Sequence, residues 1–135
     1  MSDELNFRLY ARGIISHSAK EILIIRKNDQ QKIGAGRWMI PGGTIEHGER
    51  PETALARELV EEVNFHADKL TQIGIETRIL GLTHWLGFLY LAEGDTNLIK
   101  NNEPEKHSEI KWVSYLELQN YIYELEFLNL VKRMI

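Results

Sequence analysis

Residues 43–65 constrain the fold more than any other part of this chain, because they must form a helix that carries several acidic side chains. The segment reads GTIEHGERPETALARELVEEVNF. Pro51 suits the first position of a helix, and neither Gly nor Pro follows it before Asn64. Asn tolerates the left-handed conformation that often ends a helix. The pattern therefore predicts a helix that begins at Pro51 and ends just before Asn64.

The spacing of side chains gives this helix two different faces. At ~100° per residue, the apolar side chains share one arc, which is expected to contact a core; they are Leu55, Ala56, Leu59, Val60 and Val63. Glu58, Glu61 and Glu62 fall on the other side. Ala54 falls among these glutamates, where its small side chain is expected to leave room for an ion or a substrate.

The acidic face is a candidate binding site for divalent cations. Glu58 and Glu62 are like charges four residues apart, an arrangement that destabilises a helix. Arg57 is the only basic residue nearby. A solvated acidic surface is the alternative, but the shortage of basic partners favours a bound cation. Mg²⁺ prefers carboxylate oxygens, and its presence indicates phosphate chemistry.

The same segment resembles the Nudix box of the Nudix (MutT-like) hydrolases. That box reads Gly, five residues, Glu, seven residues, then Arg-Glu-Leu-x-Glu-Glu-x-x and an apolar residue; the matching positions here are Gly43, Glu49, Arg57, Glu58, Leu59, Glu61, Glu62 and Phe65. The departure is Asn64, where the family usually has Gly. Because Asn is the best non-Gly residue for a positive φ, the turn is expected to survive. Residues 38–43, WMIPGG, also resemble the family's approach to the box, with a turn expected at 41–43.

The resemblance implies an α/β fold, an α/β/α sandwich with a mixed sheet between helices, in which residues 1–135 form a single Nudix domain. It implies an enzyme that hydrolyses a nucleoside diphosphate linked to another group and that uses Mg²⁺, with Mn²⁺ as a second option. The implied partner is a small nucleotide substrate. No general nucleic-acid binding and no membrane association are expected, and a homodimer is left open.

Roles for individual residues also follow from the resemblance. The implied metal ligands are Gly42 (through its carbonyl), Glu58, Glu61 and Glu62. In some family members the residue that matches Glu58 is instead the general base, so its role stays open. Arg57 is expected to orient the neighbouring glutamates through charged hydrogen bonds. Glu49 is expected either to pair with Arg57 or to favour the helix N-terminus electrostatically.

A second acidic group lies at residues 102–107, NEPEKH. It resembles the loop that brings an additional glutamate over the metals in several Nudix hydrolases. Glu103 and Glu105 are the candidates, and the spacing to Trp112 favours Glu105 as the further catalytic residue. A solvated charged loop is the alternative.

Substrate contacts are the least constrained part of the prediction. Four basic residues precede the box and could reach the phosphates of a substrate: Arg26, Lys27, Lys32 and Arg37. Arg26, Arg37 and the acidic Glu103 are the preferred substrate contacts, with ordinary surface positions as the alternative. Four ring side chains are candidates for stacking on a base or for packing in the core: Trp38, His84, Trp85 and Phe88.

The composition narrows the classes of function. With 135 residues, 43% of them apolar, the chain has material for one core. A net charge of −4 disfavours a general nucleic-acid binder, which normally has a basic face. The absence of Cys excludes disulfides and thiolate metal sites and fits a reducing cytoplasm. The longest apolar-rich stretch, 79–92, is too short and too polar to span a bilayer.

The remaining pattern predicts strands around two helices. Strands are expected at 7–15, 21–26, 38–40, 70–80, 83–91 and 110–113, the first two as a hairpin. A polar loop is expected at 94–108. Ser114 is expected to cap a short helix at 115–119, and an amphipathic helix is expected at 123–134.

Several functions are compatible with these features. The leading hypothesis is a Mg²⁺-dependent pyrophosphohydrolase that converts a nucleoside triphosphate to a nucleoside monophosphate and pyrophosphate, which the short chain favours. Hydrolysis of ADP-ribose or of a nucleotide sugar is the main alternative. A catalytically weak nucleotide-sensing module is disfavoured by the intact set of box glutamates. Messenger RNA decapping is disfavoured by the acidic charge and the lack of a basic accessory segment.

Overall fold

The structure is a computed structural model that describes residues 5–17, 20–29 and 35–134. Within these ranges the elements in chain order are β1 Asn6–His17, β2 Glu21–Lys27, β3 Trp38–Met39, β4 Gly42–Thr44, α1 Pro51–Val63, β5 Lys69–Leu80, β6 Thr83–Glu93, β7 His107–Ser114 and α2 Leu125–Lys132. A short 3₁₀ turn at Leu118–Asn120 precedes α2. Neither α-helix of the described residues has the length and apolar character needed to cross a membrane.

The described strands form one mixed sheet. Its order is β3-β2-β1-β6-β5, with β4 beside β1 and β7 beside β2. The central pair, β1 and β6, is parallel and runs in register from Asn6↔Thr83 to Ile15↔Ala92. The other pairs are antiparallel. This mixed sheet with helices on its faces confirms the predicted α/β fold.

Alternation along the central strands divides the core into two layers, one under each helix. In the first layer, side chains of the sheet pack with α2; the buried members include Ile14, Ile22, Ile24, Phe127, Leu130 and Val131. In the second layer the intervening residues pack with α1; the buried members include Ala11, Leu23, Ile25, Leu55, Leu59 and Val63. Because side chains of a strand alternate between the two faces of the sheet, consecutive residues of β2 pack into opposite core layers. Burial of each large aliphatic side chain stabilises the fold by about 1.5–3 kcal/mol.

The prediction for α1 is confirmed at both ends. The helix runs from Pro51 to Val63, and Asn64 follows with φ 56° and ψ 39°. The backbone N–H at this cap donates to the carbonyls of Leu59 and Val60. Asn therefore ends the helix in the left-handed conformation that the family usually gives to Gly.

The prediction of a turn at 41–43 is wrong, because Gly42–Thr44 pairs with β1 as a strand. Gly42 lies opposite Arg12, and Gly43 lies opposite Ala11. Gly42 has φ +150°, which L side chains rarely adopt, and a Cβ atom there would collide with the Ala11 carbonyl oxygen. Glycine at position 42 thus allows β4 to approach β1 closely.

Toward the end of the chain, the observed strand and helix boundaries differ from the predicted ones. The final strand begins at His107 rather than 110, because residues from His107 onward already pair with β2. Ser114 does cap the following turn, since the Glu117 N–H donates to its Oγ at 3.2 Å. The turn continues as the 3₁₀ segment rather than as an α-helix at 115–119, and the terminal helix is shorter than the predicted 123–134.

Candidate active site

Two consecutive glycines bring the β4 backbone against two carboxylates of α1. The Gly42 N–H donates to Glu62 Oε1 at 2.8 Å. A Cβ atom on Gly43 would lie 2.5 Å from the Glu58 carboxyl carbon and 2.6 and 2.7 Å from its two oxygens. The absence of a side chain at position 43 therefore makes the room that the Glu58 carboxylate occupies.

Glu62 is a buried acidic residue, with only 6% of its surface exposed. Burial raises its pKa to about 8, partly offset by the Gly42 N–H; Glu58 raises the pKa further, while Arg12 lowers it. The pKa of Glu58 is also raised, first by burial and against the lowering effect of Arg57. Both carboxylates are thus in surroundings that disfavour their negative charge, which a bound cation would relieve.

The three glutamates of α1 differ in burial, although the helical spacing placed them on one face. Glu58 is half-buried, Glu61 is exposed and Glu62 is buried. Ala54, expected beside an ion or a substrate, is fully buried. The Ala54 side chain is thus not accessible to an ion or a substrate in this structure, which corrects that expectation.

Arg57 holds the outer acidic side chains together. Its Nε and Nη2 donate to the two oxygens of Glu49 at 3.0 and 2.9 Å. Its Nη1 lies 3.1 Å from Glu58 Oε1 and 3.4 Å from Glu61 Oε2. The hydrogen bonds from Arg57, followed by the Glu46 backbone N–H, lower the pKa of Glu49. One guanidinium thus fixes the loop before α1 and orients Glu58.

The loop between β6 and β7 is attached to the C-terminal end of α1 by backbone and amide contacts. The N–H groups of Lys100 and Asn102 donate to the carbonyls of Val63 and Glu62 at 3.1 and 2.9 Å. The Asn102 side chain donates to the Val60 carbonyl at 3.1 Å. The bonds to Val63 and Glu62 satisfy carbonyls that a helix end leaves without intrahelical partners, and all three bonds hold the loop against this end of α1.

Within this loop, Asn101 joins Glu103 to His107. Its Oδ1 accepts from the Glu103 N–H at 3.2 Å, and its Nδ2 donates to the His107 carbonyl at 2.8 Å. One ligand atom each from Glu62, Glu103 and His107 lies within 4.8 Å of the others. Sequence reasoning missed His107; its place at the start of a strand, directly after the acidic loop, was the available signal.

Between the two loop glutamates, the structure favours Glu103 over Glu105 as the neighbour of Glu62. Glu103 is partly buried, and its negative charge contributes to the raised pKa of Glu62. Glu105 is exposed, and its backbone carbonyl accepts a hydrogen bond from the Asn28 side chain. Glu103 rather than Glu105 therefore adjoins Glu62 in this structure, and the catalytic role expected of Glu105 stays a prediction.

A cavity of about 190 Å³ opens beside Glu62 and has a cationic wall. The basic residues that line it are Arg12, Lys27 and Arg78, and the rings include those of Tyr10 and Trp85. Burial lowers the pKa of Arg12, against the raising effects of Tyr10 and Glu62. The Arg12 guanidinium lies 4.9 Å from the centre of the Tyr10 ring. Sequence reasoning missed Arg12 and Arg78, because strand pairing brings them to the site from distant positions.

The family model described as the NUDIX domain matches residues 7–132. This chain belongs to the Nudix family. The match confirms the resemblance that the Nudix box indicated, and it covers the sheet, both helices and the loop that carries Glu103.

Curated relatives of this Nudix chain have modest identity. The 8-oxo-dGTP diphosphatase of Escherichia coli K12 is 35% identical over 88 residues, which are 63% of this chain and 67% of that protein. A human 8-oxo-dGDP phosphatase is 26% identical over 114 residues, which are 83% of this chain. The chain spans 34% of the human protein's length and 46% of that of a Bacillus subtilis relative.

Solved structures agree on the fold. The MutT Nudix hydrolase of Burkholderia pseudomallei matches with a TM-score of 0.81 at 24% identity, covering 93% of this chain and 97% of that one. The MutT protein of Methanosarcina mazei Go1 matches with a TM-score of 0.84 at 21% identity, covering 98% and 95%. At these identities the likeness shows the Nudix fold alone.

The basic residues preferred as substrate contacts have partners within the protein. Arg26 donates to Ser108 Oγ at 2.8 Å and pairs with Asp29 at 3.1 Å. Arg37 pairs with Glu124 at a second, smaller cavity of about 30 Å³. Lys32 lies outside the described residues. Of the three predicted basic residues that the structure describes, Lys27 is the one that lines the cavity beside Glu62.

The ring side chains proposed for base stacking divide between packing and the cavity wall. Trp38 contacts Tyr121 edge to face, with ring centres 5.4 Å apart. His84 stacks on Phe7 with ring centres 5.5 Å apart, and Phe88 packs against the layer under α1. Trp85 lines the cavity beside Glu62.

The donor set fits a hard divalent cation. Glu62 is buried beside Glu58 and Glu103, whose charges raise its pKa. Carboxylate oxygens are the ligands that Mg²⁺ prefers, and a bound ion would offset the repulsion among these groups. Glu58, Glu62 and Glu103 are therefore the carboxylates that best fit such an ion. Glu61 is more exposed, and Arg57 contacts both Glu58 and Glu61.

Proposed function

We propose that this Nudix domain is a Mg²⁺-dependent pyrophosphohydrolase that converts a nucleoside triphosphate to a nucleoside monophosphate and pyrophosphate. One observation carries the proposal: Glu58 and Glu62 meet the Gly42–Gly43 backbone, and Glu62 lines a cavity that is also lined by the basic side chains Arg12, Lys27 and Arg78. Such a cavity has the charges that an anionic nucleotide and its counter-ions require. Mn²⁺ is the second cofactor to test, and a reducing cytoplasm is the expected compartment.

The substrate's phosphates would face the basic side chains Arg12, Lys27 and Arg78, which reduce the repulsion felt by an incoming water. A bound divalent cation, held by Glu58, Glu62 and Glu103, would supply charge neutralisation and a more acidic water. Water adds to the α- or the β-phosphorus and the P–O bond that bridges these two breaks. Attack at the α-phosphorus releases pyrophosphate as the leaving group, and attack at the β-phosphorus releases the monophosphate. As the alternative to binding the cation, Glu58 is the candidate acceptor for the water's proton, because its pKa is raised and Arg57 fixes its orientation.

The names of the relatives support a nucleotide substrate. The Escherichia coli relative is an 8-oxo-dGTP diphosphatase and the human relative is an 8-oxo-dGDP phosphatase. Both act on purine nucleotides, so oxidised and ordinary guanine nucleotides come first in a substrate panel. The aromatic wall of the cavity, with Tyr10 and Trp85, is compatible with a base near the phosphates.

A substrate panel tests this proposal. The protein is incubated with Mg²⁺ and, separately, dGTP, 8-oxo-dGTP, 8-oxo-dGDP, the other nucleoside triphosphates, ADP-ribose, a dinucleoside polyphosphate and capped RNA. Products are separated by ion-exchange chromatography, and pyrophosphate is assayed enzymatically. We expect a nucleoside triphosphate to give the monophosphate and pyrophosphate in equal amounts. Hydrolysis of ADP-ribose alone would replace the proposed substrate, and no hydrolysis at all would favour a nucleotide sensor.

A further inference from the structure

His107 belongs to no part of the Nudix box, yet its imidazole is buried beside Glu62. Only 4% of the residue is exposed. Its Nε2 lies 3.5 Å from Glu62 Oε2, and its Nδ1 has no hydrogen-bond partner among the described residues. The unpaired atom is Nδ1, whereas the ring nitrogen nearest Glu62 is Nε2, so Nε2 is the candidate ligand atom.

The backbone holds this ring in place from two sides. His107 opens β7, where it pairs with Lys27 of β2. Its carbonyl accepts from Asn101, and its N–H donates to the Glu103 carbonyl at 2.9 Å. The side chain therefore faces the site from a strand end and a tight turn together, and both restrict its movement.

The distances suit a shared cation. Two ligand atoms bound to one ion at roughly 2.1 Å each lie on the order of 3–4 Å apart when they are neighbours. The Nε2–Oε2 separation of 3.5 Å falls in this range. One carboxylate oxygen of Glu103 lies within 4.8 Å of a ligand atom of Glu62 and of a ring nitrogen of His107.

We propose that His107 supplies a nitrogen ligand to a divalent ion that it shares with Glu62 and Glu103, and that this ligand moves the metal preference of the site from Mg²⁺ toward Mn²⁺. Mg²⁺ prefers an all-oxygen octahedral shell, whereas first-row transition ions accept imidazole readily. The inference rests on the proposed function, because it names an ion for the same site. A His107 that only donates a hydrogen bond to Glu62 would not produce this preference.

Pulsed electron paramagnetic resonance of bound Mn²⁺ tests the nitrogen ligand directly. The spectrum is recorded without substrate, at sub-stoichiometric Mn²⁺, on protein with natural nitrogen and on protein labelled with ¹⁵N-histidine. We expect a nitrogen coupling that changes with the label. The chain contains five His residues, His17, His47, His66, His84 and His107. A variant in which the first four are changed to Gln must retain the coupling, and H107Q must lose it.

Metal-binding affinities test the proposed shift in preference from Mg²⁺ toward Mn²⁺. Dissociation constants for Mn²⁺ and Mg²⁺ are measured by calorimetry on wild type, H107Q and the control H17Q. His17 lies opposite Glu21, at the other end of β2 from His107. We expect H107Q to weaken Mn²⁺ binding at least ~10-fold and Mg²⁺ binding less than ~3-fold, with H17Q unchanged. Equal loss for both ions would indicate a positioning role and overturn the proposal.

The outcomes separate this inference from the proposed function. A wild-type Mn²⁺ spectrum without nitrogen coupling overturns the inference even if H107Q fails to fold, because that spectrum needs no variant. If such a protein still hydrolyses a nucleoside triphosphate with Mg²⁺, the proposed function stands without the His107 ligand. If the coupling is present and no nucleotide in the panel is hydrolysed, His107 remains a metal ligand and the proposed function fails.

Discussion

The Glu58 carboxylate occupies the space that a side chain on Gly43 would need: a Cβ atom there would lie 2.5 Å from the Glu58 carboxyl carbon. The obstructing atoms are the end of a flexible side chain, so G43A should displace Glu58 rather than the backbone. We expect kcat to fall by about 100-fold, because small misplacements of reacting groups have effects of that size. Thermal unfolding should show that the variant still folds.

The variant G48A is the matched control for G43A. Gly48 has φ +87°, and nothing lies within 4 Å of the position where a Cβ atom would stand. The left-handed conformation should lower the free energy of unfolding by roughly 1–2 kcal/mol without changing kcat. A G43A enzyme with normal turnover would contradict the role given to this contact.

The two-pronged contact between Arg57 and Glu49 gives a second prediction. R57K retains the positive charge but loses the planar fork that contacts both Glu49 oxygens. We expect kcat to fall about 10-fold in R57K, and in E49Q, because the orientation of Glu58 is lost. The control is R50K, since Arg50 is 82% exposed and lies 3.9 Å from Glu52. Normal turnover in R57K would mean that the charge alone suffices.

Asn101 gives a third prediction, because its side chain bonds both the Glu103 N–H and the His107 carbonyl. N101A should weaken Mn²⁺ binding about 10-fold, as loss of a supporting hydrogen bond does at other metal sites. The free energy of unfolding should fall by about 1 kcal/mol per lost bond. Calorimetry and urea unfolding measure the two effects. N97A, at an exposed position of the same loop, should change neither.

The helix of the Nudix box was predictable because its signals are local. Pro51 at the first turn and Asn64 at the end mark the boundaries within the segment itself. The burial of Glu62 was not predictable from helical spacing, because β4 and the β6–β7 loop cover that residue. A helical projection shows which residues share a face of the helix. It does not show which other segments of the chain pack against that face.

Strand register brings to the site the residues that were not predicted from the sequence. Arg12 reaches the site because β1 pairs with Gly42 of β4, and His107 because β7 pairs with Lys27 of β2. Neither pairing has a signature in the surrounding sequence, since register depends on the whole sheet. For the same reason, the basic residues near the box in sequence, Arg26 and Arg37, were preferred although they pair elsewhere.

Glu124 gives a prediction about stability and pH. Burial raises its pKa, but a backbone hydrogen bond and the charges of Arg37 and Arg78 lower it more, so the net pKa is below the ordinary 4.5. As the pH falls, the unfolded chain therefore takes up this proton before the folded protein does. The stabilisation that charged Glu124 contributes is fully present above pH 4.5. It is lost as the pH falls through the lower pKa that Glu124 has in the folded protein.

E124Q should accordingly be less stable than wild type by about 1 kcal/mol at pH 7, and the difference should disappear at low pH. Urea unfolding from pH 7 to pH 3 measures it. E126Q, at an exposed position of α2, is the control. A difference between E124Q and wild type that stayed constant with pH would show that charge is not its cause.

Turnover and unfolding of E62Q, measured on one preparation, test the central claim most directly. Gln retains the shape of Glu62 and an oxygen for the Gly42 N–H, but it removes the buried charge that a metal would need. With Mg²⁺ and the best nucleotide of the panel, we predict that kcat falls at least ~100-fold, while E46Q, at an exposed loop position, is unaffected. In EDTA, the free energy of unfolding of E62Q should equal or exceed that of wild type. Near-normal turnover in a folded E62Q enzyme would contradict the account.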